Sequence, residues 1–114
     1  MKIKHEFFTQ AVQSQALESL KNRLRDEFHI EEMILYGSAA RSEADSESDA
    51  DLLILTNHPM NRFERHKITD VVFEVNLAYG TNFSSLVIDR ALWESGPVSI
   101  LPIHEEIQRD GIIL

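Results

Sequence analysis

The chain has 114 residues, a formal net charge of −8 and no cysteine, with 43 % hydrophobic and 26 % charged residues. This length suits one domain, residues 1–114, with a modest core. The composition excludes disulfides and thiolate metal sites, and no apolar run is long enough to span a membrane, so we expect a cytoplasmic protein.

The negative net charge limits the classes of substrate that the chain is expected to bind. Lysine and arginine are scattered along the chain, whereas nucleic-acid binding needs a basic stripe, so DNA or RNA is not expected as the direct substrate. A nucleoside triphosphate would also be repelled unless a divalent cation came with it. Any phosphate chemistry in this chain should therefore depend on a metal ion.

The first half of the chain alternates helical and strand patterns. An amphipathic helix is predicted over residues 9–28, and a strand follows over residues 30–36. After Gly37, residues 38–43 can form a short helix, and the acidic residues 43–48 read as an exposed loop. Residues 49–56 form a second predicted strand, whose apolar character on both faces indicates a central place in its sheet.

The second half continues the alternation. A long helix is predicted over residues 61–79, ending at Gly80, although the run 71–73 also suits a strand. A third strand is predicted over residues 83–88. The tail holds a short helix up to residue 110 with Pro102 in its first turn, and residues 112–114 suit a strand at a sheet edge.

The stretch between the first two strands is the candidate site. Eleven residues separate Gly37 from Asp49, whereas a parallel crossover takes a dozen or more and usually a full helix. The two strands should therefore be antiparallel neighbours. In that arrangement Gly37-Ser38 and the pair Asp49 and Asp51 share one edge of the sheet.

These residue types suit a metal-bound triphosphate. Asp49 and Asp51 are two apart on a strand, so both carboxylates leave one face, where a hard cation such as Mg²⁺ would offset their repulsion. Ser38 at a helix start offers a hydroxyl and backbone N–H groups, and Gly37 permits close approach of the backbone. Arg41, one turn later, can neutralise phosphate charge.

Each part of this motif also has a purely structural interpretation. A Gly-Ser pair after a strand is a common turn, Asp-x-Asp can be a solvated strand edge or a capping cluster, and Arg41 alone can be a surface residue.

The five histidines are dispersed, with no pair at metal-ligand spacing. Trp93 is expected to serve packing, with an interface role as the alternative.

The order Gly37-Ser38, ten residues, Asp49-x-Asp51 and an apolar run resembles the signature of the DNA polymerase beta-like nucleotidyltransferase superfamily. The chain's size and the Gly-Ser-x-x-Arg form, ending at Arg41, are similar to its minimal nucleotidyltransferases. The resemblance implies an α+β fold, with a small mixed sheet and flanking helices.

The resemblance also implies an activity and residue roles. It implies transfer of AMP from ATP to a hydroxyl, with Mg²⁺, as a pair of ions, held by Asp49 and Asp51 as catalytic residues. Gly37 and Ser38 would hold the triphosphate, with Arg41 as a companion in nucleotide binding. The implied partner is a small all-helical HEPN protein, a toxin for which this chain would be the antitoxin, and a homo-oligomer stays open.

One departure from the superfamily concerns its third carboxylate, which lies on a later strand. Ser85 is predicted at that position, and Asp89 would lie about 13 Å further along the strand. A second hypothesis is therefore a nucleotide-binding subunit that neutralises its partner by complex formation without turnover. A third, transfer to a small molecule, is weakened because the chain lacks room for a separate acceptor domain.

Overall fold

The computed structural model describes residues 2–3, 11–37 and 50–114. Five strands and four α-helices occur there, with a 3-10 turn at Pro97–Ile100. In chain order they are β1 (Lys2–Ile3), α1 (Ala11–Phe28), β2 (Glu32–Tyr36), β3 (Ala50–Thr56), α2 (Arg62–Tyr79), β4 (Phe83–Asp89), α3 (Arg90–Ser95), α4 (Pro102–Asp110) and β5 (Ile112–Ile113). None of these helices is long and apolar enough to cross a membrane.

The strands form one mixed sheet in the order β1-β5-β2-β3-β4. Strand β2 runs antiparallel to β3, as the short connection predicted. Strand β3 has β4 on its other side in parallel, so the expected central position of β3 is also confirmed. The architecture is α+β, with helices on both faces of a small mixed sheet.

The sheet separates two apolar clusters. One face carries the alternate β3 residues Leu52 and Ile54, which pack with the buried sides of α1 and α2. The other face carries Leu53 and Leu55, which pack with Trp93 of α3 and with α4. Because successive side chains of a strand point to opposite faces, Asp51 shares the α3–α4 face with Leu53.

Helix α2 follows its sequence signals from end to end. Asn61 caps its start, accepting from the Glu64 N–H at 2.8 Å while the Glu64 carboxylate accepts the Asn61 N–H. Gly80 ends it in the left-handed region at φ 66°. The strand alternative for residues 71–73 is not realised, because Val71, Val72 and Val75 fall on one buried helical face.

The tail departs from the sequence prediction. Strand β5 lies between β1 and β2 rather than at an edge, pairing Ile113 with Ile34 and Ile112 with Lys2. The outer neighbour, β1, was not predicted because two residues give no periodicity. Helix α3 was also not predicted, since six residues give too short a pattern, whereas Pro102 does begin α4.

Asn76 fixes the turn that leads from α2 into β4. Its side-chain oxygen accepts the Phe83 N–H at 2.9 Å and the Thr81 hydroxyl at 3.0 Å, and its amide donates to the Phe83 carbonyl at 3.0 Å. Both backbone groups of Phe83 are thus paired by one side chain. This side chain sets where β4 begins beside β3.

Replacing Asn76 with leucine is expected to lower the free energy of unfolding by about 1–3 kcal/mol, because the Phe83 N–H and carbonyl lose their partner. Thr81→Val removes only the hydroxyl bond to the Asn76 oxygen, so its loss should be smaller. Urea denaturation of both variants checks this. Equal losses in the two variants would show that the two hydrogen bonds between Asn76 and the Phe83 backbone contribute nothing beyond the Thr81 bond.

Candidate active site

Three side-chain positions form a row across β2, β3 and β4 at one end of the sheet. Tyr36 is the antiparallel partner of Asp51, and Ser84 is the parallel partner of Asp51 on the other side. Paired residues of neighbouring strands project from the same face. Tyr36, Asp51 and Ser84 therefore line one face, the one that α3 and α4 cover further along the strands.

Gly37 lies directly against the Asp51 carboxylate. Its backbone has φ 79°, in the left-handed region that favours glycine. A Cβ at this position would lie 2.6 Å from the Asp51 Oδ2, inside any permitted contact. The backbone conformation therefore favours glycine, and a side chain at this position would displace the Asp51 carboxylate.

The pKa of the Tyr36 hydroxyl is affected by charged groups at this end of the sheet. Its pKa is raised above the ordinary value, first by burial and then by the negative charges of Asp51 and of Glu106 on α4. Two carboxylates from different elements therefore lie near one half-buried phenol. Negative charges close together at one sheet end would favour binding of a cation there.

The predicted site residues divide into two groups. Gly37 and Asp51 are brought together, at the sheet end where the spacing placed them. Ser38, Arg41 and Asp49 lie outside the described residues. Their assignments to the triphosphate and to the metal ions stay predictions.

The position of the missing third carboxylate needs correction. Ser85 pairs with Leu52 and lies on the opposite face of the sheet from Asp51. The residue beside Asp51 on its own face is Ser84, one position earlier. The sequence prediction was wrong by one residue because the parallel register of β3 and β4 has no local signal. Neither serine supplies a carboxylate.

Sequence reasoning missed two residues of this site. Tyr36 was treated only as the end of a strand, although its antiparallel place opposite Asp51 could have been read from the predicted pairing. Glu106 had no such signal, because its approach to Tyr36 depends on how α4 packs on the sheet. Ile103 and Ile107, which flank Glu106 on α4, bring the helix there by packing into the second cluster.

The residues present suit a hard divalent cation. Asp51 supplies carboxylate oxygens, the ligand type that Mg²⁺ prefers, and the lack of a side chain at Gly37 leaves the Asp51 Oδ2 uncrowded on that side. Among the residues that the structure describes, no three histidine, aspartate or glutamate side chains form a complete cluster. A site here would therefore draw on Asp49, on substrate phosphates and on water.

The structure defines a small α+β domain with a five-stranded mixed sheet in its described part, and comparison with known families identifies its family. The family model for the nucleotidyltransferase domain matches residues 17–92, which is 76 of the 114 residues. The matched stretch includes β2, β3, α2 and β4. The chain belongs to the nucleotidyltransferase domain family.

A curated relative is MJ1305 of Methanocaldococcus jannaschii, named as a candidate protein adenylyltransferase. It is 36 % identical over 84 residues, covering 63 % of this chain and 57 % of the relative. The chain thus matches less than two thirds of that protein's length.

Two solved structures share the fold. One is a mutant of the toxin–antitoxin pair MntA-HpeT, with a TM-score of 0.55, 17 % identity and coverage of 89 % of this chain and 70 % of that chain. The other is a toxin–antitoxin with AMP-PNP, with a TM-score of 0.55, 17 % identity and coverage of 85 % and 68 %. At this identity the likeness establishes the fold alone.

Proposed function

We propose that this chain is a Mg²⁺-dependent nucleotidyltransferase that transfers AMP from ATP to a hydroxyl on a partner protein. The observation that carries the proposal is the contact between Gly37 and the Asp51 carboxylate at one end of the sheet, in a member of the nucleotidyltransferase family. That contact joins a backbone suited to close phosphate approach to a carboxylate suited to a metal ion.

The reaction forms one bond and breaks one. An acceptor hydroxyl oxygen bonds to the α-phosphorus of ATP, and the bond from that phosphorus to the bridging oxygen of pyrophosphate breaks. Pyrophosphate leaves with the electron pair, and the hydroxyl proton passes to a carboxylate or to water. The protein's task is to hold the acceptor, the α-phosphate and the leaving group in line.

The chain's own residues would divide this work. Asp49 and Asp51 would hold Mg²⁺, and Gly37 and Ser38 would hold the triphosphate, with Arg41 against its charge. When bound, Mg²⁺ would neutralise the negative charge that develops on the phosphate oxygens. Glu106 adds a carboxylate on the same side of the sheet.

The names of the relatives favour a protein acceptor. MJ1305 carries the name of a protein adenylyltransferase, and a neighbour of the same fold was solved with AMP-PNP. Two neighbours of the fold are toxin–antitoxin structures. We accordingly propose an antitoxin role, with a small all-helical HEPN toxin as the partner that bears the hydroxyl.

A second candidate function is a nucleotide-binding subunit that neutralises its partner by complex formation alone. The observation that favours it is Ser84, which stands beside Asp51 on the same face and cannot act as a base. Under this alternative, metal and nucleotide binding are kept while turnover is lost.

Incubation of the chain with ATP, Mg²⁺ and its co-transcribed neighbour, followed by intact mass measurement, tests the proposal. We expect the neighbour to gain one or more AMP units, and Asp51→Asn to lower the rate about a hundredfold or more by weakening the metal site. Asp89→Asn is the matched control, because Asp89 lies at the far end of β4 and should leave the rate unchanged.

The two candidate functions give different results in this experiment. A stable complex without any mass gain, equally formed by Asp51→Asn, would contradict the transferase and support the binding subunit. Removal of Mg²⁺ with a chelator should abolish the mass gain if the chain is a transferase, because the charge on the phosphate oxygens is then no longer neutralised.

A further inference from the structure

The structure contains a cavity at the end of the sheet that lies away from Asp51. Its volume is about 310 Å³, near the lower limit of small-molecule sites, and it lies where the parallel strands β3 and β4 end, at the paired residues Thr56 and Asp89. Asp89 is five residues further along β4 than Ser84, the partner of Asp51, a distance of about 16 Å. The cavity is therefore separate from the candidate active site.

The two sides of the cavity differ in polarity. Asp89 pairs with Thr56, so both side chains project from the sheet face against which α2 packs. Arg65, in the first turn of α2, lines the same side. The opposite side, formed by α3 and the 3-10 turn, is apolar and consists of Leu92, Pro97 and Val98. The cavity thus combines charges of both signs on one side with an apolar surface on the other.

The two charged side chains of the cavity keep donors and acceptors for a ligand. The Arg65 Nη1 donates to the Met60 carbonyl at 3.2 Å, which uses one of the five N–H donors of a guanidinium. Asp89 precedes α3 as its N-cap residue, but its carboxylate accepts no N–H of that helix. Within the described ranges, Arg65 and Asp89 line one cavity and form no ion pair with each other. A guanidinium and a carboxylate are therefore both available to one ligand.

The third polar group of the cavity, the Thr56 hydroxyl, uses its proton within the protein. It donates to the His58 carbonyl at 2.7 Å, in the turn that follows β3. The next residues of that turn, Pro59 and the nearly buried Met60, add apolar surface to the cavity. Recognition of a ligand by its charge therefore depends on Arg65 and Asp89.

We propose that the cavity binds a free α-amino acid with an apolar side chain of about the size of leucine. The Arg65 guanidinium would bind the α-carboxylate through two parallel N–H···O bonds, and the Asp89 carboxylate would accept from the α-ammonium. The side chain would pack against Leu92, Pro97 and Val98. An α-amino acid carries its two charges and its apolar group on one carbon atom, which matches the two sides of the cavity.

Charge and polarity favour this class of ligand over its relatives. An apolar carboxylic acid pairs with Arg65 but leaves the Asp89 carboxylate near a like charge, and an apolar amine pairs with Asp89 but leaves Arg65 near one. Glycine satisfies both charges but leaves the apolar side of the cavity without a partner. Of these ligands, only an apolar amino acid meets all three requirements.

Amino-acid binding does not rest on the proposed transfer of AMP. The cavity and the candidate active site share no described residue and lie at opposite ends of β3. Replacing Asp89 should therefore weaken amino-acid binding and leave the rate of AMP transfer, measured without an amino acid, unchanged. Either proposal can fail while the other holds.

Titration of the ¹⁵N-labelled chain with L-leucine up to about 10 mM, followed by amide NMR, covers the affinities expected for so small a ligand. We expect saturable shifts at residues 56–60 and 87–89 and none at residues 34–37. Three probes each lack one group of leucine: 4-methylpentanoate lacks the ammonium, 3-methylbutylamine lacks the carboxylate, and glycine lacks the apolar side chain. The affinity of each should be lower about tenfold or more, because one part of the cavity then has no partner.

Arg65→Gln should lower the affinity for leucine about tenfold or more. It should not lower the affinity for 3-methylbutylamine, which has no carboxylate for Arg65 to bind. Arg62→Gln is the matched control, because Arg62 is exposed on the same helix and does not line the cavity. Its affinity for leucine should equal that of the wild type, and the amide spectrum shows whether each variant is folded.

The absence of saturable shifts at about 10 mM leucine would overturn the proposal. Binding of 4-methylpentanoate or glycine as tight as that of leucine would overturn it too, as would an unchanged affinity of Arg65→Gln for leucine. The comparison of the four ligands uses the wild-type chain, so it decides the matter even if Arg65→Gln does not fold.

Discussion

Gly37→Ala is expected to lower the rate of the proposed AMP transfer about a hundredfold or more, because a displacement of about 1 Å at a reacting centre can cost that much. The new Cβ would lie 2.6 Å from the Asp51 Oδ2, so the carboxylate must move. The backbone at φ 79° adds a cost in stability of about 1–2 kcal/mol for a residue with a side chain. Intact-mass kinetics and urea denaturation measure the two effects.

Gly80→Ala separates backbone strain from the loss of the site. Gly80 also has a positive φ, 66°, but a Cβ there would have no atom within 4 Å. We expect a comparable cost from strain, about 1–2 kcal/mol, with an unchanged rate of transfer. If both alanine variants kept full activity, the contact between Gly37 and Asp51 would have no catalytic meaning.

Trp93→Ala is expected to lower the free energy of unfolding by about 3–5 kcal/mol, since removing a buried aromatic side chain leaves a cavity. This loss is larger than those expected for the Asn76, Gly37 and Gly80 variants. Trp93 is 2 % exposed and its ring lies 4.3 Å from that of His104, measured between centroids. The whole free energy of unfolding of a native protein is about 5–15 kcal/mol, so this one substitution removes a large part of it. Helices α3 and α4 would lose their common anchor on the sheet.

Circular dichroism during urea denaturation is the appropriate measurement, because Trp93 is the single tryptophan and its loss removes the fluorescence signal. Leu92→Ala on the same helix is the control, since Leu92 is 51 % exposed and should cost below about 1 kcal/mol. Equal losses for the two variants would contradict the assignment, because they would show that packing of the buried indole contributes no more than the half-exposed Leu92 side chain.

Elements with strong local signals were predictable from the sequence. Helix α2 has a capping box, a buried face of regular spacing and a terminal glycine, and each is a signal within a few residues. The antiparallel pairing of β2 and β3 followed from the length of their connection. The place of β5 between β1 and β2 did not, because pairing between opposite ends of the chain depends on the assembled sheet.

Only part of the candidate site was predictable from the sequence. The neighbourhood of Gly37 and Asp51 was predictable, since both flank one short connection. The choice between Ser84 and Ser85 required the register of a parallel pair joined through α2, and a slip of one residue exchanges the two faces. Glu106 lies on α4, whose position over Tyr36 depends on tertiary packing rather than on any motif.

The central sheet also determines how substitutions should combine. Val72 belongs to the cluster under α1 and α2, and Ile107 to the cluster under α3 and α4, so the two share no packing partner. Changes in unfolding free energy at separated positions are usually additive, whereas neighbours couple. Related sequences can therefore diverge in the α1–α2 layer without compensating changes around Asp51, while substitutions in the α3–α4 layer are constrained together with it.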